Sequence, residues 1–283
     1  MPAYVGDRYN VAGIKWIASF PMNITRNLNR ASAVLILNDY ETGYPFACLE
    51  SSLISASRTA ASAVLATEYL SEGRKKEIQN LGVVGTGVIA NNVLRCFVER
   101  WCKVENILLY DIKRANAEEF QQEIEFFTGD INVEVLDSFP ELVQRSSVIS
   151  LTTTAGTPYF DDFSLLSHNP IVLNISLRDI APNIILKSFN ILDDIEHCLK
   201  ANTSPHLAEQ QVQNREFING NLGHLMDGQL ELPSDQPKIF SPFGLGILDL
   251  ALGKHFFEVA HESGDLIEIP NFFPTPNNKE LSA

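Results

Sequence analysis

Cysteine is sparse in this 283-residue chain: Cys48, Cys96, Cys102 and Cys198 are scattered, with no Cys-x-x-Cys pair. That spacing excludes a disulfide framework and reads as reduced, mostly buried thiols of a cytoplasmic protein. The six histidines are equally dispersed, with no His-Glu-x-x-His segment and no Cys/His cluster, so no metal is expected. Positive charge is also short: 21 Lys and Arg stand against 35 Asp and Glu, a net charge of −14. Nucleic acid and anionic membrane are therefore not expected as partners, although local cations can still hold an anionic small molecule in a closed site. No uninterrupted apolar run reaches membrane-spanning length. The opening Met1-Pro-Ala-Tyr-Val-Gly-Asp7 has neither the basic nor the apolar region of a signal peptide. A hydrophobic content of 45% is ordinary for a globular protein, and the length allows two cores.

The most informative segment is Leu81-Gly-Val-Val-Gly-Thr-Gly-Val-Ile-Ala90, followed by Ile107-Leu-Leu-Tyr-Asp111. It reads as a strand, a glycine turn, a helix start, and a second strand ending in a carboxylate. A dinucleotide needs those parts in that order. Gly85 allows the tight turn, Gly87 lets the backbone approach a pyrophosphate, and Ala90 lets the helix pack on the strand. Thr86, Val88 and Ile89 complete the loop and the helix start, whose free N–H groups suit phosphate. Asp111 lies 21 residues after Ala90, where an acid for the ribose hydroxyls is expected. That acid favours NAD over NADP, with Lys113 and Arg114 close enough to soften the preference. A plain βα turn with a capping acid is the bland alternative.

From Leu81 to about Leu192, strand candidates (81–84, 107–111, 133–136, 148–152, 171–175, 189–193) alternate with helical stretches such as 92–101 and 116–127. The fold class expected is α/β, a Rossmann-type doubly wound parallel sheet with a smaller α+β substrate and dimerisation domain. The first 80 residues lie outside the nucleotide fold. Residues 11–20 and 31–37 read as strands, and Ala47 to Leu70 reads as one helix ending near Glu72-Gly73. Residues 203–235 are polar with a weak helical pattern. A last helix follows Ser241-Pro-Phe-Gly-Leu-Gly246 and runs to about His261, and the tail from Pro270 is expected to fray. The domains expected are 1–64 with 250–283 for substrate and dimerisation, and 65–249 for NAD.

Several residues could carry chemistry. Lys15 alternates with Ile14 and Trp16 on a strand, so it either lines a solvated face or aims a cation into a cleft. Arg58 lies among Ser and Ala on a helix. Its planar fork suits a carboxylate, and a structural pair with Glu50 or another acid is the alternative. Arg30 is a weaker candidate of the same kind. Asp179 and Ser176 follow a predicted parallel strand, beyond whose carboxyl end ligands bind. Asp179 either faces that cleft, with Arg178 as its pair, or caps the helix before Ala181-Pro182. Thr152 and Thr153 end another strand and serve either the cofactor or a turn. The loop containing Gly244 either lines the nicotinamide pocket or simply leads into the helix. Asp193-Asp-Ile-Glu196 reads as an exposed helix start.

Taken together, Gly13-Ile-Lys15-Trp, Arg30-Ala-Ser, Asn38-Asp-x-x-Thr42-Gly-x-Pro45, Ile54-Ser-Ala-x-Arg58-Thr-Ala-Ala, Gly85-Thr-Gly87 and Ser176-Leu-Arg-Asp179 resemble the ornithine cyclodeaminase/mu-crystallin family. Lys15-Trp-Ile-Ala-Ser-Phe-Pro21, His197-Cys-Leu, Thr203-Ser-Pro-His206 and Phe240-Ser-Pro-Phe-Gly-Leu-Gly-x-Leu-Asp-Leu250 resemble its 2,3-diaminopropionate branch. The resemblance implies NAD-dependent cleavage of N-(2-amino-2-carboxyethyl)-L-glutamate to 2,3-diaminopropionate and 2-oxoglutarate, for siderophore or peptide-antibiotic assembly. It implies Lys15 and Arg58 as carboxylate ligands, Asp179 with Lys15 as proton handlers, the Gly85 loop and Asp111 as the NAD site, and a homodimer. Met1-Pro-Ala-Tyr aligns with an internal segment of the family, so an N-terminal block of the family pattern is expected to be missing. The competing expectations are ornithine cyclodeamination, ketimine reduction or alanine dehydrogenation on the same scaffold, or a nucleotide-binding protein without turnover.

Overall fold

The structure of the protein is a computed structural model that describes residues 1–71, 79–100 and 104–273. An antiparallel sheet comes first: β1 (Pro2–Val5), β2 (Val11–Ser19), β3 (Ala31–Asp39) and β4 (Pro45–Glu50), adjacent in that order. Helix α1 (Ser52–Leu70) then leads to the larger sheet. That region runs β5 (Asn80–Val84), α2 (Val88–Arg100), β6 (Asn106–Tyr110), α3 (Arg114–Thr128), β7 (Asn132–Val135), α4 (Phe139–Arg145), β8 (Val148–Leu151) and β9 (Ile171–Asn174). It continues through α5 (Pro182–Ile185), β10 (Phe189–Leu192), α6 (Ile195–Cys198), α7 (Ser204–Val212), β11 (Ile218–Asn221), α8 (Leu222–Met226) and β12 (Lys238–Ser241). Helix α9 (Gly246–Ser263) returns to pack on β1, β2, β3 and α1.

The eight strands of the second sheet are parallel, in the order β11-β10-β12-β9-β8-β5-β6-β7. Helices cover both faces, so β8, β9, β10 and β12 are buried throughout, which is why β8, β9 and β10 read as short apolar runs without alternation. Strand order reverses between β5 and β8, and the carboxyl ends of strands at such a point are where ligands bind in open α/β sheets. The α/β, doubly wound expectation is met. The described residues build three cores. One joins α1 and α2 to one face of the large sheet (Ala63, Leu70, Leu81, Phe97, Phe240), and one covers the other face (Leu151, Phe160, Ile184). The third lies under the small sheet (Val11, Leu35, Leu37, Ile54, Leu250). Each fully buried Leu of this kind contributes roughly 1.5–3 kcal/mol.

Some expectations shift. Residues 45–50, whose latter part is expected to open the helix, form β4, because pairing with β3 converts Phe46, Cys48 and Glu50 into one exposed face of a strand. Cys48 is accordingly exposed rather than buried. The polar stretch 203–235 holds α7, α8 and the edge strand β11, whose Ile-Asn-Gly-Asn sequence gives no strand signal. Strand β12 is a further addition to the expected set. The boundaries expected after residues 64 and 249 both fall inside helices, α1 and α9. The helix stop at Glu72-Gly73, Cys102, and most of the tail after Pro270 lie outside the described residues.

Candidate active site

The nucleotide end is built by β5, the turn and α2. Gly85 sits at φ +83, and a Cβ there would lie 3.0 Å from the carbonyl group of Thr152 and the Cα of Thr153. Only glycine combines that conformation with that approach. Over Gly87 a Cβ would meet nothing within 4 Å, so the space above the loop is open. The first N–H groups of α2 (Val88, Ile89, Ala90) have no acceptor within the helix. Asp111 ends β6. Its Oδ2 accepts from the Thr86 N–H (3.2 Å) and hydroxyl (3.1 Å), and its Oδ1 from the Lys113 N–H (3.0 Å). Val88, in the glycine loop that Asp111 holds, and Ile112, next to Asp111, have apolar side chains 61% and 90% exposed, an unfavourable display that a planar base would relieve.

Farther along the same sheet edge, two buried atoms lack partners: Asn174 Oδ1 at the end of β9, and Ser176 Oγ, which lies beside Asp179 without a well-formed hydrogen bond. Asn174 donates its amide to Ser241 Oγ (3.1 Å), tying β9 to β12. Buried polar atoms without partners are rare and suit a site that completes itself around a ligand. The open glycine cradle, the placed carboxylate and these two atoms fit a dinucleotide. Thr152 turns inward instead, donating to the carbonyls of Val84 (3.0 Å) and Gly85 (2.8 Å), so it braces the glycine turn.

Asp179 is fully buried. It does not cap α5, whose N-cap is Ala181 with no side-chain bond, and Arg178 does not pair with it but donates to the carbonyl of Ala201. Its carboxylate accepts from Thr153 Oγ1 at 2.9 Å on both oxygens and from the Tyr159 hydroxyl at 3.0 Å. Burial raises its carboxyl above the ordinary 3.8, and the hydroxyls around it offset part of that rise. Burial, followed by the charge of Asp179, pushes the Tyr159 phenol up, so it stays a donor. Tyr159 carries no sequence signal. Its place is set by backbone pairing, because the N–H groups of Tyr159 and Phe160 both donate to the Asp179 carbonyl (3.1 and 2.9 Å). Tyr159→Phe removes one donor to the ionised form, so the acid limb of the kcat/KM profile is expected to move to higher pH. A pH-rate profile showing no movement would count against Asp179 as the titrating group.

The second cluster joins the two sheets. Lys15 points inward from β2 and is 1% exposed. Its ammonium donates to Asp249 Oδ2 at 2.6 Å and to Ser55 Oγ at 3.2 Å. Arg58, on α1, donates through Nε to Asp249 Oδ1 at 3.4 Å and through Nη2 to Ser55 Oγ at 3.3 Å. The expected alternative of an ion pair with Glu50 or another acid is met by Asp249, while Glu50 accepts from the N–H of Ser52 at the start of α1. Burial, then the charge of Arg58, lowers the pKa of Lys15, and Asp249 counters in part. Two cations thus share one carboxylate in a nearly dry setting, which leaves one positive charge for an incoming anion. Asp249 is absent from the candidates drawn from the sequence, although a lone acid inside Ile247-Leu-Asp-Leu-Ala-Leu252 is a usable signal. The loop expected either to line the nicotinamide pocket or to lead into the helix does lead into α9, and its Gly244 lies against Arg58. Arg30 precedes β3, and its buried Nε has no hydrogen-bond partner among the described residues. No group of His, Cys, Asp or Glu fit for a metal occurs among the described residues.

Comparison with known proteins gives a consistent result. The chain is 30% identical over 267 residues to the N-((2S)-2-amino-2-carboxyethyl)-L-glutamate dehydrogenase of Staphylococcus aureus, a match covering 93% of this chain and 78% of that one. Among solved structures it is similar to the Delta(1)-pyrroline-2-carboxylate reductase of Thermococcus litoralis in complex with NADH and L-proline (TM-score 0.82, 24% identity, 93% and 86% of the two chains). It is equally similar to an archaeal alanine dehydrogenase dimer with bound NAD (TM-score 0.82, 24% identity, 96% and 88%). The model of the ornithine cyclodeaminase/mu-crystallin family matches residues 1–264, and the chain belongs to that family.

Proposed function

We propose that this protein is an NAD-dependent dehydrogenase acting on a CH–NH bond, with N-(2-amino-2-carboxyethyl)-L-glutamate as substrate and 2,3-diaminopropionate and 2-oxoglutarate as products. The observation that carries the reading is the charge imbalance of the Lys15–Asp249–Arg58 cluster, a built site for a carboxylate. The 30% identity to the Staphylococcus aureus dehydrogenase favours this substrate over ornithine, a cyclic imine or alanine. Siderophore or peptide-antibiotic assembly in the cytoplasm is the setting in which such a product is used.

NAD, held by the Gly85 loop, α2 and Asp111, would accept the hydride from the glutamate α-carbon. Lys15 and Arg58 fix the carboxylate on that carbon and so fix its orientation. The secondary amine must be neutral to release hydride. Asp179 takes its proton, and burial, by raising its carboxyl above the ordinary value, makes it a stronger base for that task. Loss of hydride leaves a protonated imine, which keeps the remaining N–H. Water adds to the imine carbon, and the C–N bond breaks to give the 2-oxo acid and the free amine. Asp179 and Lys15 move the protons in that hydrolysis. Burial and the charge of Arg58 lower the pKa of Lys15, which makes its ammonium a stronger acid in that step. The test is NADH absorbance with the proposed substrate, ornithine and alanine in parallel. NADH with the first alone supports the reading, and no NADH with any substrate defeats it.

Cofactor choice follows from Asp111. Arg114, expected to soften it, is tied by Nε to Glu118 (2.7 Å) and by Nη1 to Asp137, so it is not free to meet a 2′-phosphate. Asp111→Ala should weaken NAD binding about tenfold or more, as loss of a hydrogen bond to a charged group does, without gaining NADP use. Adding Asp137→Ala should begin to admit NADP, and kcat/KM ratios for the two cofactors check both.

A homodimer is part of the proposal. The outer face of the small sheet carries Trp16 (78% exposed) opposite Val34, and Ile14 opposite Ile36. So contiguous an apolar strip on a sheet is the mark of a covered surface. Trp16→Glu should shift the protein towards monomer in light-scattering chromatography, and an unchanged mass would exclude that face.

A further inference from the structure

The sequence groups Asp193 with several exposed acids at a helix start, and its neighbour Asp194 does cap α6. Asp193 does something else. Its Oδ1 accepts from the N–H groups of Asp194 (2.8 Å) and Phe243 (2.9 Å) and from the Cys198 thiol (3.0 Å), and its Oδ2 accepts from the N–H of Gly244 (2.6 Å). The donors at 243 and 244 lie 50 and 51 residues away, in the loop between β12 and α9. Cys198 also contacts the carbonyl of Ser241 at 3.1 Å, binding the base of the same loop.

The loop matters because of what lies against it. Gly244 adopts φ +100, and a Cβ there would come within 2.5 Å of Arg58 Nη1, 2.8 Å of Nη2 and 3.0 Å of Cζ. The backbone of Gly244 therefore lies close against the guanidinium. Asp249 and Ser55 hold that group by hydrogen bonds, and Gly244 supports it by contact. We propose that Asp193 is a positioning residue for the substrate carboxylate: it clamps the Phe243–Gly244 loop so that Gly244 holds the Arg58 guanidinium in its binding orientation. This rests on the reading of Lys15 and Arg58 as a carboxylate site.

The experiment compares Asp193→Ala, Asp193→Asn and Gly244→Ala with the parent protein, using two readouts. The first is KM for N-(2-amino-2-carboxyethyl)-L-glutamate, with the affinity for 2-oxoglutarate in the presence of NADH measured beside it. Asp193→Ala should weaken both about 10- to 100-fold, the scale of a lost charge-assisted contact, while kcat falls much less, the pattern of lost uniform binding. Asp193→Asn, which keeps one acceptor oxygen, should recover part of the loss. In an Arg58→Ala background Asp193→Ala should add little, because its effect passes through Arg58. The second readout is the Arg58 Nε–H signal in NMR, which should exchange faster with water in Asp193→Ala and Gly244→Ala. An unchanged Arg58 signal, or a loss of equal size with and without Arg58, overturns the proposal. If Asp193→Ala does not fold, Gly244→Ala carries the same two readouts, and the same results support or overturn the proposal. If the parent protein neither turns over nor binds these carboxylates, the functional reading fails, and the Arg58 signal still decides the role of Asp193.

Discussion

Asp179→Asn is expected to lower kcat/KM about 10²- to 10⁴-fold, the usual share of a general base, while NADH still binds. The substitution is isosteric, and the amide can still meet Thr153 and Tyr159, which hold the carboxylate now. Only the capacity to take a proton is lost. The same variant should gain stability near neutral pH. The folded protein raises the carboxyl above 3.8, so the acid form is favoured by folding. Its contribution is complete below the unfolded value and is lost as pH rises through the folded one. Above the folded value the parent carries a buried carboxylate that its surroundings disfavour, and the amide does not. A thermal midpoint at pH 7 raised in Asp179→Asn, with the gain fading in acid, is the expected pair of results. Turnover retained within a few-fold would remove Asp179 from the chemistry. A lower midpoint at neutral pH would show instead that the hydroxyl network favours the charge.

How much of the fold and the site is legible in the sequence divides along physical lines. Strands β5, β6, β8, β9 and β10 are largely buried between helical layers and announce themselves as short apolar runs. The glycine turn needs a backbone conformation that few residues adopt, so Gly85 is legible from local chemistry alone. Lys15, Arg58 and Asp179 are legible as candidates, but not their partners. Asp249 meets Lys15 across 234 residues, and nothing local to α9 says that its helix returns to the first sheet. Asp193 reads as one of several similar acids because its partners Phe243 and Gly244 donate backbone groups, which leave no trace in side-chain pattern. Tyr159 is placed by its backbone pairing to Asp179. Strand β4 is hidden for the converse reason. Its residues continue the spacing of the helix that follows, and only pairing with β3 turns them into a strand. Long-range pairing is where period alone stops being informative.

Asp249→Ala is expected to be the most damaging single change to stability, because it strands the two cations that share this carboxylate. Removing one member of a buried ionic cluster costs about 3–5 kcal/mol, which for a chain of this size corresponds to a midpoint lower by roughly 6–20 °C. Asp249→Asn keeps an acceptor and should lose less. Two further consequences separate the carboxylate site from an ordinary structural salt bridge. A small carboxylate such as acetate can take the vacated position, so it should raise the midpoint of Asp249→Ala more than that of the parent, by ordinary binding linkage. The penalty should also depend on pH in a defined direction. Burial and the neighbouring Arg58 already lower the pKa of Lys15, and loss of Asp249 removes the groups that counter them. The unfolded chain then holds a proton that the folded one gives up, so stability rises with pH. The deficit of Asp249→Ala should therefore shrink as pH increases and the Lys15 amine becomes neutral. Scanning calorimetry across pH, with and without acetate, measures all of this at once. A deficit that is flat in pH and indifferent to acetate would mean that the cluster has no spare positive charge to offer a substrate.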